Sequence, residues 1–171
     1  MTSAVLANME VRYSCRGFSA QEVSEDDLDE ILHAGQIAPS ACNLQPYFFY
    51  VVRGESLQQL NSMRSWYEAP VLIVGCLCEQ QGWKRGSDGL SFKQFDLALA
   101  MGQMALRATD LGLGSCFIAS FTPYKLQEAL KLPAEHCPEI VLAVGHPEAN
   151  LVKNTQHSTR KSKSELVGYR S

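Results

Sequence analysis

Apolar residues recur along this chain at spacings that switch between helical and extended, and the switches outline its elements. Ahead of Arg12, Val5, Leu6 and Met9 stand at helical spacing and predict a short helix. The next helix carries its own start signal: Ser24 caps it, Asp27 completes a capping-box pattern, and Leu28, Ile31, Leu32 and Gly35 share a face. Pro39 closes it. The aromatic and β-branched run Tyr47–Val52 predicts a strand, and residues 55–63 a short helix. Residues 70–78 predict a strand with no polar alternation, hence one covered on both faces.

Residues 79–91 hold three glycines and no period, so they are read as a loop. The longest helix is expected over 92–111, with Phe95, Ala98, Leu99, Gly102, Ala105, Leu106, Thr109 and Leu113 as its apolar face, and Gly112 and Gly114 as its left-handed stop. Residues 115–120 and 139–145 predict strands and 124–131 a helix, for four strands and about five helices. The tail, 146–171, is polar. Its Leu166, Val167 and Tyr169 have no use in solvent, so it is expected to dock, with a second subunit as the surface.

With 171 residues and 46% apolar content, residues 1–171 are read as a single domain with one core. A net charge of −3 leaves no basic field to hold nucleic acid or an anionic membrane. The longest apolar run, 70–77, is far below the roughly 20 residues that span a bilayer. The Ala4 to Ala7 stretch is too short for a signal-peptide core, so a cytoplasmic location is expected. Six cysteines form no C-x-x-C pair, and Cys76 and Cys78 are taken to face opposite sides of their strand; reduced thiols and no metal are expected. His33, His136, His146 and His157 show no metal or triad spacing and are read as surface or core filling.

Two strings carry candidate chemistry. In Arg12-Tyr13-Ser14-Cys15-Arg16-Gly17-Phe18, an extended backbone turns Arg12, Ser14 and Arg16 to one side, where two guanidinium forks and a hydroxyl suit a phosphate. Taken alone, such a string is more often a solvated basic turn, because short motifs recur by chance. In Pro39-Ser40-Ala41-Cys42-Asn43-Leu44-Gln45-Pro46, prolines stiffen both ends and hold Ser40 and Asn43 ready to hydrogen-bond; alone it reads, by a narrow margin, as an ordinary helix-to-strand turn.

Arg-x-Ser-x-Arg-x-Phe after a short helix, then Ala-Pro-Ser-Ala-x-Asn-x-Gln-Pro-Tyr before an aromatic strand, resembles the nitroreductase family of FMN-dependent oxidoreductases. Later features keep that family's order: Asp96-Leu97-Ala98-Leu99-Ala100 opening the long helix, Leu111-Gly112-Leu113-Gly114-Ser115-Cys116 turning into a strand, then Leu132-Pro133 and Val144-Gly145-His146-Pro147.

The resemblance implies an α+β fold, a three-layer sandwich with a mostly antiparallel central sheet flanked by helices, and an intertwined homodimer with FMN at the subunit interface. It assigns Arg12, Tyr13, Ser14 and Arg16 to the phosphate, ribityl and pyrimidine side of FMN. Pro39, Ser40, Ala41 and Asn43 would come from the partner. Ile118, Ala119 and Ser120 would pass flavin N5, and Arg160 and Lys161, with Lys163 as the alternative, would supply late phosphate contacts. The chain departs from the family pattern in having Ala119 and Ser120 where glycine is frequent, and only the short 79–91 loop where a helical insertion is common. Cys42 would lie beside a redox cofactor.

The activity implied is ping-pong hydride transfer from NAD(P)H through flavin N5 to a small acceptor such as a nitroaromatic or quinone, with no catalytic side chain required. A protein that binds or delivers flavin without turnover, and a dimer of this shape that has lost its flavin, stand as the competing readings.

Overall fold

Eight consecutive uncharged residues, Val71–Cys78 (β2), form a strand of which all but the last are buried. It pairs with Tyr47–Val52 (β1) on one side and His136–Gly145 (β4) on the other, and Gly114–Ile118 (β3) pairs with the far edge of β4. The sheet is antiparallel throughout, in the order β1-β2-β4-β3. The computed structural model describes residues 3–78 and 82–170. Strand pleating sends Leu72, Val74 and Cys76 into one core and Val71, Ile73 and Leu77 into the other. Each such side chain contributes about 1.5–3 kcal/mol when fully buried. That gain is available on both faces only at the centre of a sheet, which is where β2 lies.

The first core is closed by Gly54–Leu60 (α3) and Pro123–Ala129 (α5), through Leu57, Leu60 and Leu126. The second is closed by Glu25–Gln36 (α2) and Lys93–Asp110 (α4). The expected α+β sandwich of helices, sheet and helices is therefore present. In α2, Ser24 Oγ accepts the Asp27 N–H at 3.1 Å, and Leu28, Ile31 and Gly35 are the buried residues. Gly35 sits where α2 crosses α4, with Met104 filling the space that a Cβ would need.

Several expectations are corrected. The face expected to bury α4 is largely its outward one: Phe95 and Leu99 are 52% and 50% exposed, while Asp96, Leu97, Ala100, Met101, Met104, Ala105 and Ala108 pack inward. The helix is apolar on two sides, and periodicity does not say which side meets the sheet. β4 begins three residues earlier than expected because Pro138 lies at a bulge opposite Gly75 and Cys76, where no ladder N–H is needed. β3 ends at Ile118, leaving Ala119 and Ser120 in an exposed turn.

Of the two glycines at the end of α4, only Gly112 adopts positive φ, at 77°. Gly114 opens β3, and a Cβ there would stand 2.7 Å from Cys15 Sγ. Cys76 and Cys78 share a face, as residues two apart on a strand must, and Cys137 and Cys78 both act on the Cys76 thiol. The first helix, Ala4–Val11 (α1), has no buried residue; Val5, Leu6 and Met9 are exposed.

The tail also departs from a simple extension toward a partner. Its first part folds back on its own chain: the Glu148 N–H donates to Gly17 O at 3.2 Å, and Lys153 Nζ lies 4.7 Å from the centroid of the Tyr13 ring. A last short helix, Lys163–Leu166 (α6), opened by a capping box between Ser162 and Glu165, follows. Leu166 at its end, and Val167 and Tyr169 beyond it, are exposed. Of the 79–91 loop, residues 79–81 lie outside the described residues. Among the described residues no helix is long and apolar enough to cross a membrane, and no cluster of three His, Cys, Asp or Glu could hold a metal ion.

Candidate functional site

Where α1 ends, Arg12 turns the chain into an extended segment that runs beside β3: Ser14 bridges Ser115, and the Cys15 N–H donates to Ser115 O at 2.9 Å. The alternation is the one the string predicts. Cys15 and Gly17 are buried, while Arg12, Ser14 and Arg16 face a cleft. Tyr13 also lines the cleft, and the opposite wall comes from the other end of the chain, as Asn154, Gln156, His157 and Arg160.

This cleft, about 160 Å³, has three guanidinium groups and no carboxylate in its lining. It is an anion site by composition. Its volume is below the roughly 300 Å³ at which pockets begin to enclose whole small molecules, so it suits a headgroup whose remainder lies outside. Arg160 is steadied by donating to the carbonyls of Thr159 at 2.7 Å and Gln156 at 3.2 Å. Lys161 is exposed and not part of the lining, and Lys163 instead stands over the Tyr169 ring. Burial raises the Tyr13 pKa, so its hydroxyl stays protonated.

At the other end of β3, Ile118 is buried while Ala119 and Ser120 are exposed. Arg64 Nη1 donates to both the carbonyl and the hydroxyl of Ser120, and its guanidinium lies 5.1 Å from the Trp66 ring centroid. The Cys116 thiol, midway along β3, is pushed up by burial and pulled back by Arg16, Arg64 and Arg12. Three cations thus converge on this strand.

The third element is the loop after α2. Ser40 Oγ accepts the Gln45 N–H at 3.1 Å, Ser40 O accepts the Asn43 N–H at 2.9 Å, and the Gln45 amide returns to Asn43 O at 3.1 Å. Inside this frame Cys42, Asn43 and Gln45 hold φ of 52°, 55° and 47°. Left-handed backbone costs roughly 1–2 kcal/mol per non-glycine residue, so the loop keeps a defined, strained shape. Pro39, Ser40 and Ala41 line a second hollow of about 570 Å³ with Phe92, Phe95, Asp96, Ala98 and Leu99; Asn43 does not line it.

Within one chain, then, eight of the residues expected at the site fall into two groups, while Asn43, Ile118, Ala119, Ser120 and Lys161 line neither hollow. Arg12, Tyr13, Ser14, Arg16 and Arg160 share one cleft, and Pro39, Ser40 and Ala41 share another hollow. Sequence reasoning passed over Arg64, Asn154 and Gln156, and read as surface or core filling a histidine, His157, that lines the cleft. None carries a local motif; only the return of the tail onto the N-terminal segment, and the approach of Arg64 to Ser120, bring them to the site.

A family model described as the Nitroreductase family matches residues 9–63 and 57–146. The FMN reductase [NAD(P)H] of Bacillus subtilis is 28% identical over 163 residues, covering 84% of this chain and 66% of that one. The oxygen-insensitive NADPH nitroreductase of Helicobacter pylori is 24% identical over 197 residues, covering 91% of each. The crystal structure of a nitroreductase family protein from Clostridium difficile superposes on all of this chain and 99% of its own, with a TM-score of 0.88 and 29% identity.

Proposed function

The chain belongs to the nitroreductase family, and from that premise we propose that it is an FMN-dependent NAD(P)H oxidoreductase whose site is completed by a second copy of itself. The observation that carries the reading is the cleft with three arginines and no carboxylate, built from both ends of the chain. Arg12, Ser14, Arg16 and Arg160 would between them hold the phosphate, ribityl chain and pyrimidine edge, each as a charge-assisted or hydroxyl hydrogen-bond donor. A guanidinium at the pyrimidine edge would favour the negative charge of the reduced cofactor. Hydride exchange at N5, between NAD(P)H and a small acceptor such as a nitroaromatic or quinone, is the chemistry the bound cofactor supplies. Ala119 and Ser120 would present backbone N–H groups to that edge, from a turn that Arg64 ties down.

The 39–46 loop lines a different hollow from the arginines in one chain, so the reading needs a partner that presents Pro39, Ser40, Ala41 and Asn43 to the cofactor. The outward apolar residues of α1 and α4, Val5, Met9, Phe95 and Leu99, supply a face for such a copy. Residues 1–171 form one domain in this reading, with Leu166, Val167 and Tyr169 docking on the partner.

Absorption spectra of the purified protein test the proposal. Flavin bands that bleach on anaerobic addition of NADH or NADPH are expected. Bands that stay oxidised with both donors would move the protein to the flavin-carrier reading, and a colourless protein that ignores added FMN would end both.

A further inference from the structure

We propose that Asp96 is a positioning residue, whose buried carboxylate pins the 39–46 loop at Ala41 and so holds Ser40 and Ala41 in place for the flavin edge. The flavin half of this statement rests on the reading above; the pin does not.

Asp96 lies in the first turn of α4 and is only 2% exposed. Its Oδ1 accepts the Ala41 N–H at 2.9 Å, across 55 residues of sequence. Its Oδ2 is buried with no hydrogen-bond partner among the described residues, and so is the hydroxyl of Tyr47, at the other end of the same loop. Burial, and then the charge of Asp96, raise the Tyr47 pKa and keep its hydroxyl protonated. One carboxylate therefore acts on both ends of the loop, by a hydrogen bond at Ala41 and by its field at Tyr47.

Stability alone does not account for this group. A buried carboxylate with an oxygen left unpaired is costly, and apolar replacements of similar shape are often neutral or stabilising. The helix N-terminus offsets only part of that cost. What the carboxylate provides is direction, because it accepts from a backbone N–H that has no partner in a regular element. Ala41 immediately precedes Cys42 and Asn43, the first two left-handed residues, and Ser40 before it bonds Gln45. A loop carrying three such residues needs an anchor at that point, since each would otherwise relax to negative φ.

The test combines amide hydrogen exchange, read by NMR on the full-length protein, with titration of FMN. In the wild type the Ala41 amide should be among the slowest of the loop. Asp96→Ser should speed its exchange at least about tenfold, leave β2 and β4 amides unchanged, and weaken FMN binding by a similar factor. Asp96→Asn, which keeps an acceptor oxygen, should restore both. Unchanged Ala41 exchange in Asp96→Ser, or acceleration of every amide alike, overturns the pin. Faster loop exchange with unaltered FMN affinity overturns the positioning role. If Asp96→Ser does not fold, rapid Ala41 exchange in the wild type, or loss of protection in Asp96→Asn, overturns the proposal instead. A protein that binds no FMN defeats the cofactor reading, while the exchange data still judge the pin.

Discussion

Arg64 Nη1 donates to the carbonyl oxygen of Ser120 at 2.5 Å and to its hydroxyl at 2.6 Å, joining the segment before β2 to the turn that leaves β3. Arg64→Ala should free that turn. The expected result is FMN binding weaker by about five- to tenfold, the equivalent of roughly 1 kcal/mol for a partly exposed hydrogen bond, read by quenching of FMN fluorescence. Arg64→Lys should recover only part of it, since an ammonium lacks the planar fork.

The lining of the arginine cleft separates residues that lie close together in the tail. Arg12→Ala and Arg160→Ala should each weaken FMN retention by about 1.5–3 kcal/mol, the range for a charged hydrogen bond. Lys161→Ala should change it by less than about twofold, within the small effect of an exposed charge. Equal losses at Arg160 and Lys161 would mean that the tail contacts the ligand in another register.

Gly114 is the close contact between β3 and the segment that carries Arg12, Ser14 and Arg16. A Cβ there would stand 2.7 Å from Cys15 Sγ, 2.9 Å from Cys15 Cβ and 3.0 Å from Pro147 Cγ. Gly114→Ala should cost about 1–3 kcal/mol by overpacking and lower both melting temperature and FMN affinity. Gly86→Ala, with open space around the site, should change neither.

Leu99, half exposed on the outward face of α4 beside Phe95, tests the second copy. Sedimentation of the wild type should give a dimer. Leu99→Glu should give a folded monomer with weakened FMN binding, because a desolvated carboxylate opposes association. A wild-type monomer with full FMN binding would remove the partner from the site.

Alkaline stability follows from the buried thiols. Burial pushes Cys76 from an ordinary value of 9.0 up to about 12. Between those values the native state keeps a proton that the unfolded chain has released, so stability is intact below pH 9 and falls as pH rises toward 12. The slope is about 1.4 kcal/mol per pH unit for a single such thiol. Melting temperature should therefore decline above pH 9. Alkylation of the native protein at pH 8 should modify exposed Cys42 and spare Cys76 and Cys15.

What the chain's local chemistry determined is visible in Ser24 capping α2, in β2 buried on both faces, and in Arg12, Ser14 and Arg16 alternating with buried Cys15. Each depends on residues within a few positions of one another, where backbone geometry alone sets direction. Other features needed the assembled molecule. Which side of α4 meets the sheet, the bulge that admits Pro138, Asp96 reaching Ala41, Arg64 reaching Ser120, and Arg160 rather than Lys161 in the cleft all join segments distant in sequence. Their partners are chosen by how two cores pack on opposite faces of one sheet, and a side chain's neighbours across that packing leave no periodic mark on the chain that carries it.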